Sequence, residues 1–326
     1  MRITMSKRLK TGCYSPALKV IILHLILLGI ILPNGAAAQV DRKLQKAIES
    51  LVEGFKGTVG IYVKHLPSGR SAQINADTLF PTASMVKIPI MIGIMDKIHK
   101  NELQYHQPLV YNDSLLYAGE DILGSFKSGE PIQLAKVLML MMTTSDNTAS
   151  LWLQSMAGTG TRINQLLDSM GYSATRVNSR TEGRRGHWEQ YGWGQTSPRE
   201  MVRLLEQIYQ RKMINDTLSE RMLRLMGRNY WDEEAISMIP PEIFVASKNG
   251  AVDASRSITM LVMAPHGPYL FSVITKNQPD TSWKSDNEGW VMERKLSSLL
   301  WKHFEPRSKW KPLMDVKGNP AEVRND

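Results

Sequence analysis

Phe80-Pro-Thr-Ala-Ser84-Met-Val-Lys87-Ile-Pro-Ile90 sets a hydroxyl three residues ahead of an amine at the head of a long apolar run. At that spacing the two side chains share one helix face. A serine hydroxyl is a weak nucleophile on its own, and a lysine becomes a usable base only where desolvation or nearby positive charge loosens its hold on the proton. The following Ile88-Pro-Ile-Met-Ile-Gly-Ile94 argues against an exposed Lys87. Pro81-Thr-Ala83 places Ser84 at the start of a helix, where unpaired N–H groups and the helix dipole favour a developing negative charge. The plainer alternatives are a helix N-cap for Ser84 and a solvated lysine. Ser308-Lys-Trp-Lys311 repeats the pattern in a polar, Pro-containing tail, so order and context must decide.

Upstream, Leu44, Ile48, Leu51 and Phe55 recur at helical spacing, Thr58–Val63 reads as a strand, and Pro67-Ser-Gly69 turns the chain back into Arg70–Ile74. Downstream the pattern is helical to about Gly227, through Met85–His99, Ile132–Met142, Asn147–Met156 and Thr161–Met170, with the methionines as core filler. Asn178–Ser197 lacks that period and predicts a long ordered loop, after which Pro198 opens another helix. Strand character returns in Ile243–Ser247, Ile258–Ala264 and Tyr269–Thr275, before a last helix over Glu288–Phe304. The expected fold is α+β: one antiparallel sheet built from the N- and C-terminal segments, flanked by helices, with an all-helical subdomain inserted.

Three further groups follow Ser84 in order: Ser145-Asp146-Asn147, Glu182 in the loop, and Lys248-Asn249-Gly250 after an apolar run. Ser285-Asp286-Asn287 repeats the second tripeptide, but it begins a helix and reads as a cap. The ordered set resembles the class A serine β-lactamases and the wider penicillin-recognising serine hydrolases. That resemblance covers roughly Leu44–Phe304 and implies the same fold, with an acyl-enzyme formed at Ser84. It implies that Lys87 activates Ser84, that Ser145 relays a proton to the leaving nitrogen, and that Asn147 binds the substrate amide and holds Lys87. Lys248 and Asn249 would meet a substrate carboxylate, and the N–H groups of Ser84 and Ala251 would form the oxyanion hole. Arg256 is similar to the family's carboxylate-binding arginine; its other reading is an ordinary surface arginine.

Two positions depart from the family pattern. Asn249 stands where Thr or Ser is usual. In the loop, Arg180-Thr-Glu182 matches the first part of the family's Arg-x-Glu-x-x-x-Asn, but Gly186 occupies the Asn position. Glu182 is the expected holder of the hydrolytic water, with Glu189 as its rival, and deacylation is expected to be slow or to use a different water geometry.

Lys7, Arg8, Lys10 and Lys19, the apolar Val20–Leu32 and Ala36-Ala-Ala38 read as an export signal over 1–38, with an uncleaved membrane anchor as the competing reading. The single cysteine, Cys13, lies inside that signal, so disulfides, thiol nucleophiles and cysteine metal sites are excluded from the exported protein. The first 38 residues carry five basic and no acidic side chains, so the net charge of the remainder drops from +9 to +4, too mild for a nucleic-acid partner. The expected layout is a hydrolase domain over 39–305, with an α/β part (39–80 and 243–305) around a helical part (81–242), and a polar tail over 306–326. No metal or cofactor is implied. The expected partner is a small-molecule β-lactam or a cell-wall peptide, met by a monomer in the periplasm or outside the cell. Rival functions are a D-Ala-D-Ala peptidase or other amidase or esterase reacting slowly with penicillins, and a non-catalytic binder of cell-wall peptides.

Overall fold

A computed structural model of the chain describes residues 39–119 and 122–320. The export signal expected over 1–38 and the end of the tail lie outside them. Helix α1 (Arg42–Val52) is capped by Asp41, whose carboxylate accepts from Leu44 N at 3.0 Å, and buries Leu44 and Ile48. Strands β1 (Thr58–His65) and β2 (Ser71–Ile74) form the expected hairpin. The short β3 (Phe80–Pro81) leads into a 3-10 turn over Ala83–Val86 and then α2 (Lys87–His99). Ser84 therefore sits in the 3-10 turn and Lys87 opens the α-helix.

Strands β4 (Pro108–Val110) and β5 (Pro131–Gln133) pair with each other ahead of α3 (Leu134–Thr143), α4 (Asn147–Met156) and α5 (Thr159–Ser169). After β6 (Arg176–Val177), the segment expected as a loop holds α6 (Arg185–Tyr191) and β7 (Gly194–Thr196), so it is more regular than its composition suggests. Helices α7 (Pro198–Tyr209) and α8 (Asp216–Met226) complete the helical part. Strands β8 (Val245–Val252), β9 (Ser255–Val262) and β10 (Tyr269–Lys276) precede α9 (Glu288–Phe304).

The main sheet has the order β2-β1-β10-β9-β8, with every neighbouring pair antiparallel, so its strands come from both ends of the described chain. Side chains alternate across it. Ile61, Val63, Met260, Val262, Phe271 and Val273 pack with Leu44 and Ile48 of α1 and Leu296 and Leu300 of α9. Tyr62, Leu261, Leu270 and Ile274 join the core of α2, α3 and α7 on the opposite face. Each of these Val, Leu, Ile, Phe and Met side chains, once fully buried, contributes about 1.5–3 kcal/mol, which is why both layers hold the sheet. The strand expected over Ile243–Ser247 runs further, to Val252, and this places Lys248, Asn249 and Gly250 inside β8 instead of after it.

Candidate active site

Lys87 is fully buried at the start of α2. Its Nζ lies 3.1 Å from Ser84 Oγ, 3.0 Å from Ser145 Oγ, 2.5 Å from the Ser145 carbonyl oxygen and 2.8 Å from Asn147 Oδ1. A buried amine needs such partners, since leaving it unpaired costs several kcal/mol (~2–7 for a neutral polar group). The α3–α4 turn supplies two of them because Ser145 adopts φ 62°, a left-handed conformation that turns both its carbonyl and its hydroxyl toward Lys87. Asp146 caps α4 through Ala149 N at 2.7 Å and also accepts from Leu123 N at 2.7 Å, tying the 122–125 turn to the same corner.

Strand β8 closes the site from the other side. A Cβ on Gly250 would lie 2.7 Å from the Thr82 carbonyl oxygen and 2.9 Å from Ser84 N, so only glycine lets the strand approach this closely. Lys248 is fully buried, and burial first, then the charge of Lys87, pull its proton affinity well below the ordinary lysine value. Its Nζ donates to the carbonyl oxygen and to Oδ1 of Asn249, at 2.9 and 3.1 Å. Asn229, just beyond α8, donates from Nδ2 to Ser247 Oγ at 3.0 Å and to Asn249 Oδ1 at 3.4 Å. No motif marks Asn229 in the sequence; its partners come from a strand about twenty residues on.

A cleft of about 520 Å³ opens beside Ser84, with Asn147, Tyr117, Trp193 and Ala251 on its walls. Tyr117 and Trp193 meet edge to face, 5.2 Å between ring centres. The loop delivers Gln190 and Tyr191 to this cleft. Glu182 lies elsewhere, exposed in a turn before α6, and Glu189 is exposed and paired with Arg185 at 2.9 Å. Both glutamates are exposed, and neither is on the walls of the cleft. The loop's path is set by contacts the sequence does not announce. Arg184 Nε donates to Asn178 Oδ1 at 2.9 Å and its Nη2 to Gln195 Oε1 at 2.7 Å, while the Trp193 carbonyl accepts from Asn178 N at 2.8 Å and Ser179 N at 3.1 Å.

Arg256 is also placed away from the substrate side. It shares the parity of Ile258, Met260 and Val262 on β9, so its side chain goes to the α9 face, between the rings of Trp283 and Trp290. Its guanidinium donates to the carbonyl oxygens of Val252, Asp253, Ser255 and Ser282 at 2.5–3.2 Å, clamping the β8–β9 turn. Arg256 thus serves neither as a carboxylate anchor in the cleft nor as a surface arginine, being fully buried. Lys276 lines the cleft instead. Among the described residues, no group of three or more His, Cys, Asp or Glu side chains is arranged to hold a metal ion.

A family model described as the beta-lactamase enzyme family matches residues 43–304. Beta-lactamase VEB-1 of Pseudomonas aeruginosa is 21% identical over 82% of this chain and 92% of its own length. The extended-spectrum beta-lactamase PER-1 of the same organism is 22% identical over 73% of this chain and 81% of its own. Among solved structures, that of PBP-A superposes with a TM-score of 0.73 at 24% identity, covering 82% of this chain and 98% of PBP-A. A beta-lactamase from Sphaerobacter thermophilus gives 0.71 at 20% identity, over 80% and 97%. At these identities the structural likeness bears on the fold.

Proposed function

This chain belongs to the beta-lactamase enzyme family and is a hydrolase of the β-lactamase type, and from that premise we propose that it opens the β-lactam amide through an ester on Ser84. The observation that carries the reading is the convergence of Ser84 Oγ, Ser145 Oγ and Asn147 Oδ1 on one buried amine. Ser84 Oγ attacks the carbonyl carbon and its proton passes to Lys87 Nζ. The N–H groups of Ser84 and Ala251 receive the oxyanion, a device worth about 3 kcal/mol per donor. Collapse breaks the C–N bond, and Ser145 Oγ hands its proton to the leaving nitrogen while taking one from Lys87. Lys248 supplies positive charge for the substrate carboxylate. Water then hydrolyses the ester and restores Ser84.

A second reading is favoured by one feature of the loop. With Glu182 and Glu189 both outside the cleft, the ester is expected to outlive the acylation step, as in a D-Ala-D-Ala peptidase that penicillins inhibit. Benzylpenicillin hydrolysis followed optically, with intact-protein mass spectrometry on the same sample, separates the two. Rapid turnover without adduct supports the β-lactamase; a persistent adduct supports the peptidase-like enzyme. In either case Ser84→Ala is expected to remove the adduct and lower turnover at least about a thousandfold, and unchanged turnover would overturn the mechanism.

A further inference from the structure

The cleft contains an ammonium group that the acyl-transfer steps leave unused. Lys276, the last residue of β10, is half-buried and lines the cleft together with Asn277. Its Nζ donates to the Leu79 carbonyl oxygen at 2.8 Å and stands 4.8 Å from the centre of the Phe80 ring. An ammonium has three donors. Among the described residues no Asp or Glu forms an ion pair with it, in contrast to Lys64, whose Nζ meets Glu206 at 2.7 Å. Burial alone lowers its proton affinity, with no compensating anion. A partly desolvated cation without a counter-ion, facing a cavity open to ligands, is a site for an anion.

The direction of the cleft identifies which part of the substrate reaches it. Along β8, Lys248 and Asn249 come first, Gly250 abuts Ser84, and Ala251 and Val252 carry the wall onward to the β8–β9 turn. Lys276 stands at that far end: Ile274 pairs with Ser257, and Gln278 N donates to the Ala254 carbonyl oxygen at 3.3 Å. In the acyl-transfer reading, on which this step rests, the leaving nitrogen faces Ser145. The acyl group retained on Ser84 therefore extends the other way, toward Lys276. We infer that Lys276 is a specificity anchor for a carboxylate at the end of the acyl group, so that the cleft selects acyl chains ending in an anion over neutral chains of equal length.

Two cephalosporins with one nucleus test this, one carrying a glutaryl and the other a pentanoyl side chain, which differ only by a carboxylate in place of a methyl group. Calorimetric binding to the Ser84→Ala protein needs no turnover. The glutaryl compound is expected to bind about tenfold tighter, with the preference shrinking in high salt. Adding Lys276→Met is expected to bring the two affinities together, and Lys276→Arg to keep them apart. Equal affinities in Ser84→Ala, or a preference that survives Lys276→Met, would overturn the anchor. Acylation of the unmodified protein by the pentanoyl compound, read as an adduct mass, tests the Ser84 mechanism separately. A Lys276-dependent preference with neither adduct nor hydrolysis of the pentanoyl compound upholds the anchor and rejects the acyl-enzyme; an adduct or Ser84-dependent hydrolysis without a preference does the reverse.

Discussion

Asn249 Oδ1 accepts a hydrogen bond from Lys248 Nζ at 3.1 Å, so the residue that departs from the family's Thr or Ser covers the ammonium it follows. Asn229 holds the same oxygen from the other side at 3.4 Å. In the proposed reaction a substrate carboxylate would compete with a fixed amide for Lys248, and it would meet no hydroxyl at position 249.

Asn249→Thr is expected to lower KM for benzylpenicillin about tenfold with little change in kcat, because one charge-assisted hydrogen bond of about 1.5 kcal/mol acts equally in the bound and transition states. Steady-state kinetics on the purified variant provide the check; an unchanged KM would show that Asn249 does not obstruct the carboxylate.

Gly250→Ala would place a methyl group 2.7 Å from the Thr82 carbonyl oxygen and 2.8 Å from Ser257 Oγ, pushing β8 off the Ser84 turn. The expected result is a loss of about 1–3 kcal/mol of stability together with loss of acylation, since the strand that carries Ala251 N–H moves with it. Denaturant melts and adduct formation read the two effects, and normal acylation in a destabilised variant would separate the strand's packing from its chemistry.

Lys248 binds its proton less tightly folded than unfolded, because it is buried and lies beside Lys87. Between its lowered folded value and the ordinary 10.5 the unfolded chain holds more protons, so this group's contribution to stability rises with pH through that window. Below the window the full cost of a buried ammonium is present. Lys248→Met is accordingly expected to melt above the wild type at acid pH, with the gap narrowing as pH climbs toward 10.5. Thermal melts across that range test it, and a gap independent of pH would rule the linkage out.

Glu182→Gln and Glu189→Gln are each expected to change the lifetime of the penicilloyl ester by less than about twofold, since neither side chain reaches the cleft. Gln190→Glu introduces a carboxylate on a cleft-lining residue and is expected to shorten that lifetime at least about tenfold. Time-resolved adduct masses distinguish these outcomes; a large effect of Glu182→Gln would mean that the loop rearranges around the ester.

Much of this architecture is legible along the chain because it follows from local rules. Period-two and helical patterns locate the sheet strands at both ends and the helices between them, and Ser84 with Lys87 reads directly as a shared face. Even the placement of Arg256 has a local signal: in Ser255-Arg-Ser-Ile-Thr-Met-Leu-Val262 the residues 256, 258, 260 and 262 alternate with Ser257 and Thr259, so extending β9 back to Ser255 puts Arg256 on the α9 face. Starting the strand at Ile258 hides that parity.

The sequence by itself determined the α+β fold class and the order of the groups that converge on Lys87, because each is carried by a motif or a periodicity spanning a few residues. Only the tertiary structure decided that Glu182 stays outside the cleft, that Asn229 reaches Asn249, and that Lys276 enters the cavity. Those placements rest on contacts that no short stretch of sequence announces, from Arg184 with Gln195 inside the loop to Lys276 with Leu79 at opposite ends of the chain, and the latter exists only once strands from both ends have come together.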